Sequence, residues 1–344
     1  MHLQWKQCCM PSRIKGSEIV LSISRNQLGE KIPLLSPFSL HIFPSFYCNF
    51  KCNYCLHALS NEKLKAKNFK REFMDFQTYK KCIDDAKQFN DKLKAIIFAG
   101  HGEPLMHPEI ADMVAYAEKS NITERTEIVT NGALLTHELS DKLIMAGLKR
   151  LRISIQGVDR ERYRDTCGKD VNFEQLIDNI RYFYNHKNVT EVYVKIIDIA
   201  LRSDDEKKKF EQLFAPISDI AAIEYAIPFV KELDYSKLGD LSGRCKQGNF
   251  KHSKICSMPF YMMVLYPNGD IAPCCSTDVP CFFGNVLEQS LSDIWKSDIR
   301  RKFLLEQLNG VMNIPVCNQC CIPAFGLQQG DYLDDYAEKL KSKI

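Results

Sequence analysis

Between residues 38 and 227, short apolar runs of strand length alternate with stretches of helical period, and this alternation limits the possible fold more than any other feature. The runs fall at 38–43, 94–99, 126–130, 151–155, 192–197 and 222–227. Amphipathic stretches lie between them near 75–90, 108–119, 136–146, 173–186 and 205–214. Strands separated by helices of this length imply a parallel sheet with right-handed crossovers. Six such units fit a partial (β/α)6 barrel, and an open doubly wound sheet has the same pattern. In both, the C-terminal ends of the strands line the site.

Four segments sit at those ends. Directly after the first run comes Cys48-Asn49-Phe50-Lys51-Cys52-Asn53-Tyr54-Cys55. Three thiolates spaced C-x3-C-x2-C can hold three irons of a [4Fe–4S] cluster and leave the fourth iron open to a small molecule. Zinc wants four ligands, and His57 keeps it as an alternative. Gly100-His101-Gly102-Glu103-Pro104 follows the second run, Thr130-Asn131-Gly132 the third and Gln156-Gly157 the fourth. All four converge on one mouth. The chain has 15 cysteines, yet Met1-His2-Leu3-Gln4-Trp5-Lys6 is no apolar signal segment and no run approaches the roughly 20 residues of a membrane helix. A cytoplasmic, reducing location is therefore expected, where clustered cysteines bind metal. With 46 basic against 43 acidic residues, net charge +3, there is no field that argues for nucleic acid or membrane.

The cysteine loop and the glycine loop together resemble the radical SAM superfamily, over about residues 38–230. The resemblance implies a TIM-like partial barrel in which Cys48, Cys52 and Cys55 hold a [4Fe–4S] cluster and S-adenosylmethionine binds its open iron. Tyr54 would lie near the adenine. Gly100, Gly102, Glu103 and Pro104 would meet the methionine amino group, largely through backbone. The family's usual loop is Gly-Gly-Glu-Pro; here His101 replaces the first of those two glycines, either reaching the site or facing solvent. Asn131, Ser154 and Gln156 match positions that contact ribose or carboxylate, and Lys195 either reaches the mouth or lies on the outer face. The implied chemistry begins with an electron from a flavodoxin- or ferredoxin-type donor. The S–C5′ bond then breaks, and a 5′-deoxyadenosyl radical takes a hydrogen from the substrate.

Glycines 239, 243 and 248 mark a linker over 231–255. The cysteine-rich part at 256–330 resembles the α+β SPASM/twitch extension of many radical SAM enzymes. Cys256, Cys274, Cys317 and Cys320 would close one auxiliary [4Fe–4S] cluster, with zinc at the same four thiols as the alternative. Cys275, Cys281 and Cys321 either replace a neighbour or serve as small buried hydrophobes. Residues 1–37 form an N-terminal extension and 331–344 a C-terminal helix or tail. Cys167 and Cys245 are either hydrogen donors to a substrate radical or structural thiols.

The expected function is a radical oxidoreductase of dehydrogenase type. Its substrate would be small and polyhydroxylated: a sugar, an aminocyclitol or a nucleotide-sugar. The auxiliary cluster would accept the second electron, and Arg152, His101 and Lys195 are the candidate bases. The alternative is a peptide-modifying epimerase or cross-linking enzyme, against which residues 1–37 are too short for a leader-binding winged helix. A third reading is a zinc scaffold or electron carrier with no catalysis. Substrate identity, the catalytic base and the oligomeric state are not written in the sequence.

Overall fold

A computed structural model describes residues 12–15, 27–236, 253–325, 327 and 329–344. Its single sheet has ten strands: β1 (Ser12–Lys15), β2 (Ser39–Ile42), β3 (Ala95–Phe98), β4 (Thr126–Thr130), β5 (Arg150–Ile155), β6 (Glu191–Ile197), β7 (Ile220–Glu224), β8 (Met262–Leu265), β9 (Asp270–Ala272) and β10 (Gly284–Asn285). From β2 to β7 the strands are parallel and neighbours in chain order. That is the expected (β/α)6 unit. Among the described residues it is a partial barrel, because β1 and β10 end the sheet without pairing to each other. β1 runs antiparallel on β7, whereas β8 lies parallel against β2 and continues into the antiparallel strands β9 and β10.

The helices Phe76–Ala86, Ile110–Ser120, His137–Met145, Phe173–His186 and Asp204–Phe214 match the predicted amphipathic stretches. Four of them begin at a side-chain cap, from Asp75, Thr136, Asn172 and Ser203. The last predicted strand is displaced. It ends at Glu224 because the Ala226 amide leaves the ladder and donates to Asp198 Oδ1, 2.9 Å away. Helix Arg160–Cys167 was not expected, since its sequence lacks an apolar period. Its signals are the ends: Asp159 caps the Arg162 amide, and Gly168 closes it at φ 64°.

Leu151, Ile153 and Ile155 of β5, and Val192, Val194 and Ile196 of β6, point outward into the core beneath the helices. Their neighbours Arg150, Arg152, Ser154 and Lys195 point inward and are only half-buried. Parallel strands buried on both faces normally read as continuous apolar runs. Polar residues on the inner face mean that this side is a lumen rather than a second core.

The cysteine-rich part is not a separate body. Met263, Leu265, Ile271, Phe283, Leu291, Ile294, Trp295 and Phe303 share one apolar cluster with the barrel. The tail is anchored as well: the Asp334 carboxylate accepts from Ser253 Oγ and from the Lys254 and Ile255 amides. Among the described residues, no helix is long and apolar enough to cross a membrane.

Candidate active site

The cysteine loop leaves β2 and is held from two sides. The Lys51 and Asn53 amides donate to the carbonyls of Cys167 and Thr166 at the end of helix Arg160–Cys167, at 3.0 and 2.9 Å. On the other side the Glu103 amide donates to the Tyr47 carbonyl at 2.8 Å. Backbone amides also point at sulfur: Phe50 N–H lies 3.4 Å from Cys48 Sγ, and the His57 and Leu56 amides face Cys55. Burial pushes the Cys48 thiol up to about 12, Cys52 well above its ordinary value and Cys55 upward. The groups acting most strongly on the three include no lysine or arginine. Buried sulfurs with amide donors but no cation fit an iron–sulfur cluster, whose irons supply the missing positive charge. Among the described residues, no three Cys, His, Asp or Glu side chains converge as the ligands of one ion would.

The glycine loop is shaped by close backbone approach. At Gly102 a Cβ would stand 2.2 Å from the Ser45 carbonyl oxygen and 2.6 Å from that of Tyr47. Gly100 has φ 120°, and a Cβ there would enter the Phe43 ring. Glu103 is buried and accepts from the Leu105 amide at 2.9 Å, the Asn131 amide at 2.7 Å and the Thr130 hydroxyl. Pro104 starts the short turn Pro104–Met106 that follows. Asn131 reaches back to the cysteine loop, its Nδ2 2.7 Å from Asn49 Oδ1. The Tyr54 hydroxyl donates to Gln156 Oε1, and Gln156 Nε2 donates to the Ser154 carbonyl at 3.1 Å. The predicted residues from four strand ends thus meet at one mouth.

Burial raises Glu103 from 4.5 to about 7, against the opposing pull of its three donors, the Asn131 amide foremost. A buried carboxylate with no cation fits an incoming ammonium. It also carries a stability signature. A folded-state value above the unfolded one favours the protonated form, so this contribution is full below about pH 4.5 and is lost as pH rises through 7. The loss is about 3 kcal/mol. Urea unfolding of cluster-loaded, S-adenosylmethionine-free protein at pH 5 and pH 8 should therefore show a steeper decline for the wild type than for Glu103→Gln, which cannot titrate. Equal slopes would remove the buried carboxylate from the account.

His101 does not face solvent. Its ring packs between Phe43, at 4.9 Å between centroids, and Phe46, and burial pulls it down to about 4, which keeps it neutral. A neutral ring lowered this far is a weak proton acceptor. Cys167 lies behind the cysteine loop, fully buried, and its thiol donates to the Tyr163 carbonyl at 2.9 Å. Cys245 is outside the described residues.

The lumen carries a ladder of charge across β4 to β7. Arg152 Nη1 donates to Glu127 Oε1 at 3.0 Å, and its Nη2 stands 3.8 Å from Glu224 Oε1. Lys195 Nζ is 2.6 Å from Glu224 Oε2, and the Tyr193 hydroxyl donates to Glu224 Oε1 at 3.0 Å. Lys195 is therefore an inner-face residue, not an outer one. Burial pulls Arg152 down, but Glu127 and Glu224 more than reverse it and leave it above its ordinary value. Burial pushes Glu224 up, and Lys195 and Arg152 outweigh that, leaving it lowered and anionic. Arg152 is thus a hydrogen-bond donor and a poor base. Glu224 and Tyr193 were not singled out from sequence. Their signal is inward strand parity, which can be read only once the register is known.

In the C-terminal part, Cys256, Cys274, Cys317 and Cys320 line one pocket together with Phe303 and Gln307. Cys275, Cys281 and Cys321 do not line it. Burial pushes Cys256 up to about 12 and Cys317 to about 11. Cys320 moves the other way, lowered first by the neighbouring Cys321 thiol. Gln307 is fully buried, with Nε2 3.3 Å from Cys317 Sγ. Four thiols in one pocket, one with an amide donor on sulfur, fit a closed cluster.

Comparisons agree with this geometry. A family model described as the radical SAM superfamily matches residues 42–207, and the SPASM iron–sulfur cluster-binding domain matches 256–321. The AdoMet-dependent heme synthase of Methanosarcina barkeri is 23% identical over 348 residues, covering 84% of this chain and 92% of its own. The tungsten-containing aldehyde ferredoxin oxidoreductase cofactor-modifying protein of Pyrococcus furiosus is 26% identical over 324 residues, covering 80% and 85%. Among solved structures, BtrN in complex with AdoMet and 2-DOIA superposes with a TM-score of 0.53 at 20% identity. It covers 86% of this chain and 97% of its own, and it shows the shared fold.

Proposed function

The chain is a radical SAM protein with a C-terminal SPASM iron–sulfur domain, and from that premise we propose that it oxidises a small polyhydroxylated molecule bound in the lumen below the cysteine loop. The observation that carries this reading is the inner-face ladder of Glu127, Arg152, Tyr193, Lys195 and Glu224. A ladder that alternates donors with anionic acceptors offers a hydroxyl-rich substrate paired hydrogen bonds at several carbons, whereas an apolar substrate would leave those charges desolvated.

With a cluster at Cys48, Cys52 and Cys55 and S-adenosylmethionine bound, the chemistry supplied is hydrogen-atom abstraction after one-electron reduction. The chain's own residues do the rest. Glu103 takes the methionine ammonium, while Gly100 and Gly102 let backbone approach it. Tyr54 and Gln156 border the nucleoside, and Asn131 ties this loop to Asn49. In the lumen Arg152 donates to the reacting oxygen, and Glu224 accepts the hydroxyl proton as the carbonyl forms. A two-electron oxidation leaves one electron after the hydrogen atom has gone. The thiols Cys256, Cys274, Cys317 and Cys320, which line one pocket, would hold the second cluster that accepts it.

The test is anaerobic turnover with S-adenosylmethionine, a reductant and panels of carbon-deuterated cyclitols, aminocyclitols and nucleotide-sugars, with peptides in parallel. Deuterium should appear in 5′-deoxyadenosine together with a carbonyl product that has lost two hydrogens. Transfer from peptides alone, or an epimer with solvent deuterium and no mass loss, would contradict the reading.

A further inference from the structure

Beyond the thiols themselves, Asp278 is the one charged side chain, among the described residues, that lines the pocket of Cys256, Cys274, Cys317 and Cys320. An anion is an unfavourable neighbour there, because a closed cluster of four thiolates is itself negative and gains a further negative charge on reduction. A cation from the barrel offsets it. Lys67, the C-cap of the short helix Asn61–Ala66, places its ammonium 2.5 Å from Asp278 Oδ1 and 2.8 Å from Glu232 Oε1. Its side chain is only 8% exposed, so solvent ions screen these contacts weakly. Burial pulls the Lys67 ammonium down, yet the bonds to Asp278 and Glu232 outweigh it and leave it raised, hence cationic. The more exposed Lys231 adds a second contact, its Nζ 3.4 Å from Asp278 Oδ2. Leu64 of the same short helix packs with Leu56, Leu59 and Val230, and Cys55 rests on this cluster. Lys67 therefore stands at a seam where three stretches meet: the helix after the cysteine loop, the chain beyond β7 and the loop beyond Cys274. None of the three charged partners has a role in the chemistry above.

In the oxidation proposed above, the substrate gives a hydrogen atom to the 5′-deoxyadenosyl radical, a proton to Glu224 and an electron to the C-terminal cluster. We propose that Lys67 sets how readily that cluster takes the electron, by cancelling the Asp278 carboxylate beside it. This rests on the reading that the four thiols hold a cluster. Cluster potentials respond to net charge, to hydrogen bonds on the sulfurs and to solvent exposure. With Lys67 in place, the set of Lys67, Lys231, Asp278 and Glu232 is neutral, and reduction meets no uncompensated anion. Without the Lys67 ammonium the set carries one negative charge, and the cluster holds its electron less well. Without the Asp278 carboxylate it carries one positive charge, and the electron is held better. Lys67 touches no reacting atom and acts only through the field at the cluster.

The midpoint potential of the C-terminal cluster tests this, read by potentiometric titration with EPR on the anaerobically loaded full chain. The variant with Cys48, Cys52 and Cys55 all replaced by Ala identifies the signal of that cluster alone. Lys67→Met should move its reduction equilibrium about tenfold toward the oxidised form, a midpoint about 59 mV lower for one electron. Asp278→Asn should move it by a similar factor the other way. Lys67→Met combined with Asp278→Asn restores a neutral set and should lie within about twofold of wild type. Lys67→Arg keeps the cation and should keep the wild-type midpoint. Shifts of the same sign in Lys67→Met and Asp278→Asn, as a general loosening of the pocket would give, overturn the proposal, and so does the absence of a shift in both. Should Lys67→Met fail to load its cluster, Asp278→Asn decides alone: a raised midpoint supports the proposal and an unmoved or lowered one overturns it. A wild type that holds no C-terminal cluster fails the underlying functional reading, an outcome distinct from a loaded cluster whose potential does not move.

Discussion

Gly102→Ala is expected to cut cleavage of S-adenosylmethionine about 100-fold while leaving both clusters in place. The added Cβ would stand 2.2 Å from one carbonyl oxygen and 2.6 Å from another, both in the backbone that leads into the cysteine loop. No side-chain rotation relieves a clash with backbone, so either the loop or the Ser45–Tyr47 segment must move. The Glu103 amide, which donates to the Tyr47 carbonyl, moves with it. Overpacking in a tight interior costs about 1–3 kcal/mol, and here the strain falls on the atoms that meet the ligand. Binding should weaken on the order of 100-fold, with 5′-deoxyadenosine formation falling in step. Iron content serves as the control, since the three cysteines stand on the other side of the strained contact. Wild-type affinity in Gly102→Ala would mean that this loop does not approach S-adenosylmethionine.

Arg152→Met is the second substitution with a large expected effect, of a different kind. Methionine retains apolar bulk but removes the guanidinium from Glu127 and Glu224. Glu127 keeps Arg125 and Arg150 at 3.4 and 3.7 Å, so the fold has remaining partners for it. The Arg152 side chain still exposes 29% of its surface to the lumen, so the stability cost falls below the 3–5 kcal/mol typical of a fully buried broken pair. Turnover of the substrate should drop by about 10²- to 10⁴-fold, the range for a positioned acid–base or charge-stabilising group. Cleavage of S-adenosylmethionine without substrate should persist, so 5′-deoxyadenosine would accumulate with no matching product. Glu224→Gln should uncouple in the same way. Parallel loss of both products would place Arg152 in the cofactor site instead.

The sheet and its mouth were legible because apolar runs of strand length alternate with stretches of helical period from residue 38 to the end of β7. Cysteine spacing and strand ends together located Cys48, Cys52, Cys55, Glu103, Asn131 and Gln156 at one place. Three features were hidden for physical reasons. Helix Arg160–Cys167 has an almost entirely polar sequence and is specified by its caps, yet its last carbonyls hold the cysteine loop. The lumen ladder depends on which strand parity faces inward, and one residue of register moves every side chain to the other face. His101 looked like a loop residue because nothing local marks its burial. Its partner Tyr266 lies 165 positions away in sequence, directly after β8. The attachment of β8 to β2 is a long-range pairing that no local pattern announces.

Two separate thiol sets, one of them open to S-adenosylmethionine, should each hold an iron–sulfur cluster. Iron and acid-labile sulfide, counted per chain after anaerobic reconstitution, test it most directly. Wild type should hold about eight of each, and the variant with Cys48, Cys52 and Cys55 all replaced by Ala should hold about four and form no 5′-deoxyadenosine. Zinc without sulfide in the wild type, or an unchanged iron count in the triple variant, would contradict it.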